Sequence, residues 1–229
     1  MRAMILAAGR GERMRPLTDH LPKPLLPVAG KPLIVWHLER LAAAGITDIV
    51  INHAWLGKRI EQALGDGSAF NVRIRYSPEA VALETAGGIA TAGPLLGAEP
   101  FLVINGDIWC DWDPLAAHAI SEQLRQTGQL AWLLLVDNPE HHPQGDFVRL
   151  NDGHLSDQTG VRKTFSGIGV YQPALFANTV IGQPAKLAPL LRAAMADKKI
   201  IGDLHTTFWL DVGTPERLAA LEYRLKQQL

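Results

Sequence analysis

Short apolar segments alternate with amphipathic segments along the first half of the chain. The apolar runs are bounded by turn residues and have the length and composition of strands buried on both faces; they lie at 3–7, 48–52, 72–76 and 101–105. Between these runs, apolar positions recur at helical spacing over 32–45, 55–64 and 85–96. This alternation predicts a parallel sheet that is covered by helices.

The pattern changes after Leu135, where polar, turn-rich stretches separate shorter apolar runs. Runs near 146–150 and 164–171 predict antiparallel strands beside the parallel sheet, and a last strand at 207–211 precedes a closing amphipathic helix. We therefore predict an α/β fold in which a three-layer α/β/α, Rossmann-like arrangement contains a mostly parallel mixed sheet with a small antiparallel addition. A single domain over 1–229 is expected.

Composition and charge narrow the classes of partner. The chain has 229 residues, of which 47% are hydrophobic and 20% charged, as in an ordinary globular protein. Its formal net charge of -1 provides no overall field for nucleic acid or an anionic membrane, so neither is expected as a partner. The single Cys110 excludes an internal disulfide and is predicted to be a small buried residue. Without a long apolar run or a signal-peptide pattern, a cytoplasmic location is expected.

The loop after the first strand reads GRGERMR and is the first candidate for chemistry. It is not a P-loop, because no Gly-Lys-Ser/Thr follows the glycines, and Met14 stands where a dinucleotide fingerprint has its third glycine. The second strand also ends in Asn52 and His53 rather than in the acidic residue that a nicotinamide-dependent oxidoreductase requires. Glycines let backbone N–H groups approach an oxyanion, and Arg13 adds donors suited to phosphate. Lys23 lies between two prolines, on a stiffened segment.

Two aspartates stand at the ends of predicted strands. Asp107 follows Asn105 and Gly106 after the fourth strand, and Asp211 ends the last strand. Magnesium takes one or two carboxylates and leaves its other positions to phosphate and water. Two carboxylates at one edge of the sheet, opposite Arg13 and Lys23, predict a site for a metal-bridged triphosphate.

The segments LAAGRGERMRPLT, PKPLLPVAGKP, TAGG, INGD and WLDVGTPE together resemble the sugar-1-phosphate nucleotidyltransferases, nearly from end to end. The resemblance implies that the phosphate of a sugar 1-phosphate attacks the α-phosphorus of a nucleoside triphosphate and releases pyrophosphate. It also implies a nucleotide-binding half over about 1–135 and a sugar-phosphate-binding half over about 136–229. The partners would then be small molecules, and the cofactor would be Mg²⁺.

The resemblance also implies roles for individual residues. Arg13 and Lys23 would be the catalytic cations, Asp107 and Asp211 would bind Mg²⁺, and Gly88 would approach the base. The other residues of the nucleotide site would contact the base, the ribose or the phosphates; they are Leu6, Ala7, Ala8, Gly9, Gly11, Glu12 and Asn105.

The sequence constrains the choice of sugar and of nucleotide base less than it constrains the type of reaction. The short chain, the TAGG motif and the segment TFSGIGVY favour uridylyl transfer from UTP to N-acetylmuramate α-1-phosphate in cell-wall recycling, whereas guanylyltransferases for mannose or heptose 1-phosphate have similar short forms. The Val-Glu-Lys-Pro segment that contacts the sugar in many relatives does not occur. Gly145 and Gly167 match family glycines that border the sugar. Arg162 or Lys163 is a candidate contact for a lactyl carboxylate, with a solvated hairpin as the alternative.

Other residues and another class of function were also weighed. His141 and His142 are expected to be surface loop residues, because no third metal ligand is spaced to join them. Trp109, Trp112 and Trp209 flank the two aspartates and are expected to be packing residues, with Trp109 as a candidate border of the sugar pocket. A non-catalytic nucleotide-sugar-binding regulatory subunit would have lost phosphate or metal residues. The four residues Arg13, Lys23, Asp107 and Asp211 are all present, which argues against that class.

Overall fold

The computed structural model describes residues 1–227, so the last two residues of the predicted 1–229 domain lie outside the described part. The strands are β1 Arg2–Leu6, β2 Pro27–Val28, β3 Lys31–Pro32, β4 Asp48–His53, β5 Arg73–Pro78, β6 Phe101–Asn105, β7 Ile108–Cys110, β8 Ala131–Val136, β9 Phe147–Arg149, β10 Leu155–Ser156, β11 Arg162–Tyr171, β12 Ile200–His205 and β13 Trp209–Asp211. The helices are α1 Leu33–Ala43, α2 Gly57–Leu64, α3 Glu84–Leu96, α4 Ala116–Thr127, α5 Leu187–Ala196 and α6 Pro215–Lys226. None of these helices is long and apolar enough to span a bilayer.

The central sheet has the order β12-β8-β11-β6-β1-β4-β5. Its strands are parallel except β11, which is antiparallel to both β6 and β8. The short strands β9 and β10 join the first residues of β11 as an antiparallel extension. The predicted mixed, mostly parallel sheet with a small antiparallel addition is confirmed.

Helices cover both faces of this sheet and give the fold its three layers. One apolar cluster packs α1, α2 and α4 against one face, and a second cluster packs α3 and α5 against the other. In α1, the buried residues Ile34, Leu38 and Leu41 follow the helical spacing seen in the sequence. Burial on both faces accounts for the near-continuous apolar runs of the parallel strands.

Several elements were not predicted, for different physical reasons. Strand β8 is buried at every position, and periodicity alone does not distinguish its continuous apolar run AWLLLV from a buried helical segment. Strand β7 has three residues, and the hairpin of β2 and β3 has two in each strand, which is too short for any periodic pattern. The last predicted strand, at 207–211, begins only at Trp209.

A third, smaller apolar cluster joins the loop after β1 to α6. Met14 from the loop, Val212 after β13, and Leu221 from α6 are all fully buried there. Met14 therefore occupies the position of a missing third glycine because its side chain anchors the loop, not because the loop tolerates any residue. The cluster fixes the loop relative to the strand that ends in Asp211.

Replacing Met14 by Ala should lower the free energy of unfolding by about 2 to 5 kcal/mol, because the deletion leaves a cavity between the loop and α6. Urea denaturation followed by circular dichroism measures this change. The matched control is Arg15→Ala, since the neighbouring Arg15 is exposed and pairs only with Asp19; its expected effect is within about 0.5 kcal/mol. Equal effects of the two substitutions would contradict the anchoring role of Met14.

Candidate active site

The carboxyl ends of β1, β4 and β6 meet at one edge of the sheet, where two cavities open. Parallel register places Leu6 beside both Asn52 and Asn105. The first cavity has a volume of about 310 Å³ and includes a set of predicted nucleotide-site residues in its wall: Leu6, Ala7, Ala8, Gly9, Lys23 and Asn105. Gly106 allows the β6 turn to approach β1, since a Cβ there would lie 2.8 Å from the Leu6 carbonyl oxygen. The structure thus brings these residues together in one wall.

The loop after β1 holds its glycine turn through local contacts. Gly11 has φ +69°, a conformation that favours glycine, and a Cβ there would lie 3.0 Å from the Thr18 side chain. The Thr18 hydroxyl in turn donates to the Gly11 carbonyl at 2.8 Å. Gly11 and Glu12 lie outside both cavity walls, whereas Arg13 reaches the second cavity. The turn therefore serves to aim Arg13.

Lys23 and Asp107 form an ion pair between the segment after β1 and the turn after β6. Lys23 is 7% exposed, and its Nζ donates to Asp107 Oδ2 at 2.7 Å. Pro22 and Pro24 border Lys23 in a short 3₁₀ turn, as the sequence indicated. Because Asp107 lines both cavities and Lys23 lines the first, this pair stands where the two cavities meet.

The two predicted metal ligands lie side by side. Strand β13 pairs antiparallel with β7, which places Asp211 opposite Ile108, and the Val212 N–H donates to the Asp107 carbonyl at 2.8 Å. Both carboxylates contact the second cavity. Sequence reasoning placed the two aspartates at strand ends but missed β7, the element that brings them together.

The second cavity has a volume of about 340 Å³ and lies between the aspartates and the carboxyl-terminal half of the chain. Phe165 and Ser166 of β11 line it, as does Trp209, whose Nε1 donates to the Ser166 carbonyl at 2.8 Å. Trp109 is buried in the cluster below and does not line this cavity, so Trp209 rather than Trp109 borders the predicted sugar pocket.

The two predicted sugar-side glycines are both packed closely against neighbouring groups. Gly167 has φ +86°, and a Cβ there would lie 2.7 Å from Asn105 Nδ2. Gly145 has φ +61°, and a Cβ there would lie 2.7 Å from Asn138 Oδ1. Both positions therefore require glycine for close packing, and neither is part of the cavity wall.

His141 and His142 lie on the surface loop between β8 and β9, as expected, and each side chain is 41% exposed. His141 and His142 both line the second cavity, because the long connection from β8 to β9 folds over it. His142 Nε2 lies 3.1 Å from Asp146 Oδ1, and His141 Nε2 lies 3.5 Å from Asp211 Oδ2. Sequence reasoning did not reveal that this exposed loop also borders the second cavity.

The candidate contacts for a lactyl carboxylate are engaged elsewhere. Arg162 donates to Asp157 Oδ1 at 2.8 Å and to the Asp146 carbonyl at 2.7 Å. Lys163 donates to Asp137 Oδ1 at 2.6 Å. Neither side chain lines the second cavity. The structure therefore favours the alternative of a structural hairpin for these two residues.

A buried network that the sequence did not reveal fixes the wall of the first cavity. The Ala7 N–H donates to Asn52 Oδ1 at 3.0 Å, and Asn52 Nδ2 donates to Glu79 Oε1 at 2.7 Å. The other Glu79 oxygen accepts from the Leu83 N–H at 2.9 Å. The network joins the end of β1 to the start of α3. In the sequence, Asn and Glu at the end of a strand look the same whether they form a buried hydrogen-bond network or an ordinary exposed turn.

Gly88 of α3 packs against this network. A Cβ on Gly88 would lie 2.8 Å from Glu79 Oε1 and 2.9 Å from Asn52 Nδ2, so the glycine lies behind the cavity wall. Glu84 and Thr85, at the start of the same helix, form part of the wall itself. Glu84 has φ +60°, an uncommon conformation for a residue with a side chain.

Two ionisable groups beneath the aspartates are held in their neutral forms. Burial, and then the nearby Arg40 charge, lowers the pKa of His37 to about 4. Burial raises the pKa of the Cys110 thiol to about 11, which confirms that this cysteine is a buried, unreactive side chain. Neither group supplies an acid or a base at neutral pH.

Gly88→Ala should lower the free energy of unfolding by about 1 to 3 kcal/mol, because the added methyl collides with buried polar groups. In an open helical position the same change would stabilise the protein by about 1 kcal/mol, so the sign of the effect is informative. Urea denaturation measures it. A variant as stable as the parent would contradict the packing of Gly88 against Asn52 and Glu79.

Comparison with known proteins shows which proteins this chain is similar to. A family model described as Nucleotidyl transferase matches residues 2–147. The chain is 59% identical over 95% of both lengths to N-acetylmuramate alpha-1-phosphate uridylyltransferase of Neisseria meningitidis serogroup B. It is 36% identical to the protein of the same name from Caulobacter vibrioides, over 98% of this chain and 97% of that one.

More distant proteins share the fold. Mannose-1-phosphate guanylyltransferase of Mycobacterium tuberculosis is 31% identical over 93% of this chain, which spans 61% of that longer protein. A solved structure of a putative glucose-1-phosphate thymidylyltransferase from Bacillus anthracis, in complex with a sucrose, superposes with a TM-score of 0.84 at 22% identity. That superposition covers 98% of this chain and 94% of the other, and at this identity it supports the fold alone.

Proposed function

Since the chain belongs to the nucleotidyl transferase family, we propose that it transfers a uridylyl group from UTP to N-acetylmuramate α-1-phosphate. The products are a UDP-sugar and pyrophosphate. One observation carries this choice of substrates: the similarity to the Neisseria uridylyltransferase extends over 95% of both chains. Guanylyl transfer to mannose 1-phosphate is supported less well, since that relative is more distant and much longer.

The two cavities suggest how the substrates divide the site. The first cavity, behind the loop after β1, would hold UTP, and Ala7 at its wall is fixed by the buried Asn52 network. The second cavity, lined by Ser166 and Trp209, would hold the sugar 1-phosphate. The reacting phosphates would then meet beside Asp107, which borders both cavities.

The reaction needs no strong base, because the second pKa of a phosphate monoester is about 6 and the group is largely ionised at neutral pH. The difficulty is that two anions must approach each other. Neutralisation and alignment therefore supply most of the catalysis. This agrees with a site whose buried His37 stays neutral and whose charged residues are fixed lysine, arginine and aspartate side chains.

The two proposed catalytic cations, Lys23 and Arg13, lie at different places in the site. Lys23 is almost fully buried between the cavities, so its charge acts in a poorly hydrated place on the phosphates that react. Arg13 is exposed at the edge of the second cavity and has no ion-pair partner within residues 1–227. Its donors are thus available to a phosphate of the bound substrates.

Mg²⁺ is the proposed cofactor, and the residues present suit it. Asp107 and Asp211 offer hard oxygen donors from adjacent strands, which match an ion that takes one or two carboxylates. Within residues 1–227 no cluster of three or more His, Cys, Asp or Glu side chains forms a complete protein cage. A bound Mg²⁺ would supply charge stabilisation for the transferring phosphoryl group.

The proposal keeps the other expectations from the sequence. The substrates are small molecules, the product belongs to cell-wall recycling, and the location is the cytoplasm, where nucleoside triphosphates are made. Neither a nucleic acid nor a membrane is needed as a partner.

A pyrophosphate-release assay over UTP, GTP, dTTP and ATP tests this function, with each nucleotide paired with N-acetylmuramate, N-acetylglucosamine, mannose and heptose 1-phosphates. Turnover is expected with UTP and N-acetylmuramate α-1-phosphate, and only when Mg²⁺ is present. Turnover with GTP alone would reject the uridylyl assignment. The absence of turnover with every pair would favour a regulatory subunit.

Asp107→Ala should reduce kcat by at least about 100-fold while the protein stays folded, because a proposed metal ligand and the partner of Lys23 are both lost. The matched control is Asp197→Ala, at the exposed end of α5 and outside both cavities; its expected kcat is unchanged. Both variants are compared by the same assay and by thermal melting. Full activity of the Asp107 variant would show that the metal site lies elsewhere.

A further inference from the structure

His142 lines the second cavity, and the transfer of a uridylyl group gives it no role. Its side chain is 41% exposed, and its Nε2 lies 3.1 Å from Asp146 Oδ1. Because a carboxylate only accepts hydrogen bonds, Nε2 is the donor in this contact. The other ring nitrogen, Nδ1, makes no hydrogen bond within residues 1–227. One nitrogen of this cavity-lining ring is therefore available to a ligand.

The loop that carries His142 is fixed against β11 on both sides of the histidine. On the carboxyl-terminal side, Asp146 Oδ2 accepts from the Phe165 N–H at 2.8 Å, so the carboxylate that holds the ring is itself held. On the amino-terminal side, Asn138 Oδ1 accepts from the Thr164 hydroxyl at 2.9 Å. The position of the imidazole is thus set before a substrate binds, which lowers the cost of ordering it.

A sugar 1-phosphate of the proposed kind brings a second anionic group into this cavity. N-acetylmuramate differs from N-acetylglucosamine by a lactyl ether that ends in a carboxylate, and such a group needs hydrogen-bond donors when it leaves water. The cavity wall contains three side chains that can carry a positive charge, namely Arg13, His141 and His142. Arg162 and Lys163 lie outside the wall and are paired with other aspartates.

Two of these three side chains lie beside the candidate metal ligand Asp211. A Cβ placed on Gly213 would lie 3.0 Å from Arg13 Nη2 and 2.9 Å from Asp211 Oδ1. His141 Nε2 lies 3.5 Å from Asp211 Oδ2 and accepts from Arg217 Nη1 at 2.8 Å. Both side chains therefore belong to the region where the phosphates and the cation are expected. A further carboxylate would be repelled there by the aspartate.

His142 is the remaining candidate, and its contact is with Asp146 beside β11 rather than with a metal ligand. We propose that His142 binds the lactyl carboxylate of N-acetylmuramate α-1-phosphate through its Nδ1–H and so selects this sugar over analogues without the acid. The inference rests on the proposed function and adds a specificity-determining residue to it. A carboxylate at each ring nitrogen favours the imidazolium form, which donates from both. Asp146 is the positioning residue that orients the ring.

His142→Phe tests this inference, because it keeps a planar ring and removes both nitrogens. The KM for N-acetylmuramate α-1-phosphate should rise by about 10- to 100-fold, the size of a hydrogen bond between charged groups. The kcat and the KM for UTP should each change by less than about threefold, since His142 does not contact the reacting phosphates in this arrangement. Steady-state kinetics with each substrate varied in turn measures all three.

Two ligands without the carboxylate separate this contact from a general contact with the sugar. One is N-acetylglucosamine 1-phosphate, and the other is N-acetylmuramate α-1-phosphate with its lactyl acid converted to the primary amide. The parent should bind the acid more tightly than the amide, and His142→Phe should lose that preference while its inhibition constants for both neutral ligands stay within about threefold of the parent values. An equal loss for all three ligands would assign His142 to the shared sugar and overturn the proposal.

His154→Phe is the matched control. His154 is also a loop histidine beside an aspartate, with Nδ1 3.2 Å from Asp152 Oδ2, but it borders neither cavity. Its preference for the acid over the amide should equal that of the parent.

His142→Asn serves if the Phe variant does not fold. An asparagine keeps a neutral N–H donor, so the preference for the acid should fall by about 3- to 10-fold. A parent enzyme that turns over no N-acetylmuramate α-1-phosphate would refute the proposed function together with this inference. If the parent does turn it over and the His142 variants keep its preference for the acid, only this inference fails.

Discussion

The candidate site depends on two carboxylates held side by side by a pairing of only three residues in each strand. Strands β7 and β13 pair so that Asp107 and Asp211 emerge next to each other, although more than a hundred positions separate them in the chain. Like charges placed side by side destabilise each other, and each carboxylate is accordingly matched by a cation, Lys23 for Asp107 and Arg217 for Asp211. Lys23 is also part of the wall of the first cavity.

Much of the fold could be predicted from the sequence because burial on both faces of a parallel sheet leaves a strong pattern. The strands β1, β4 and β6 appear as short apolar runs, and glycine or polar residues follow them where the chain leaves the core. The same reasoning indicated Lys23, Asp107 and the wall from Leu6 to Gly9, since chemistry gathers at the carboxyl ends of parallel strands. Physical reasoning thus suffices where the backbone alone decides position.

What could not be predicted depends on how distant segments meet. His141 lines a cavity only because the loop after β8 folds over it, and Arg217 faces the site only because α6 begins directly after β13. Asn52 and Glu79 become a buried network only when α3 packs against the end of β1. These residue types are common at turns and helix starts, so no local spacing distinguishes the functional residue from a solvated one. What is missing is knowledge of which distant segments come into contact, and the local patterns of one sequence do not provide it.

The apolar cluster beneath the site explains why the loop after β1 carries a methionine instead of a third glycine. Met14 and Val212 are buried together with Leu221, so the loop that aims Arg13, the strand end that carries Asp211 and the helix that carries Arg217 share one small core. Core packing is dense and resists relative displacement of its parts. The positions of Arg13 and Arg217 on either side of Gly213 are therefore supported by nonpolar contacts. A glycine in place of Met14 would make the loop more adaptable, but it would remove the contact that fixes the loop carrying Arg13 against the helix carrying Arg217.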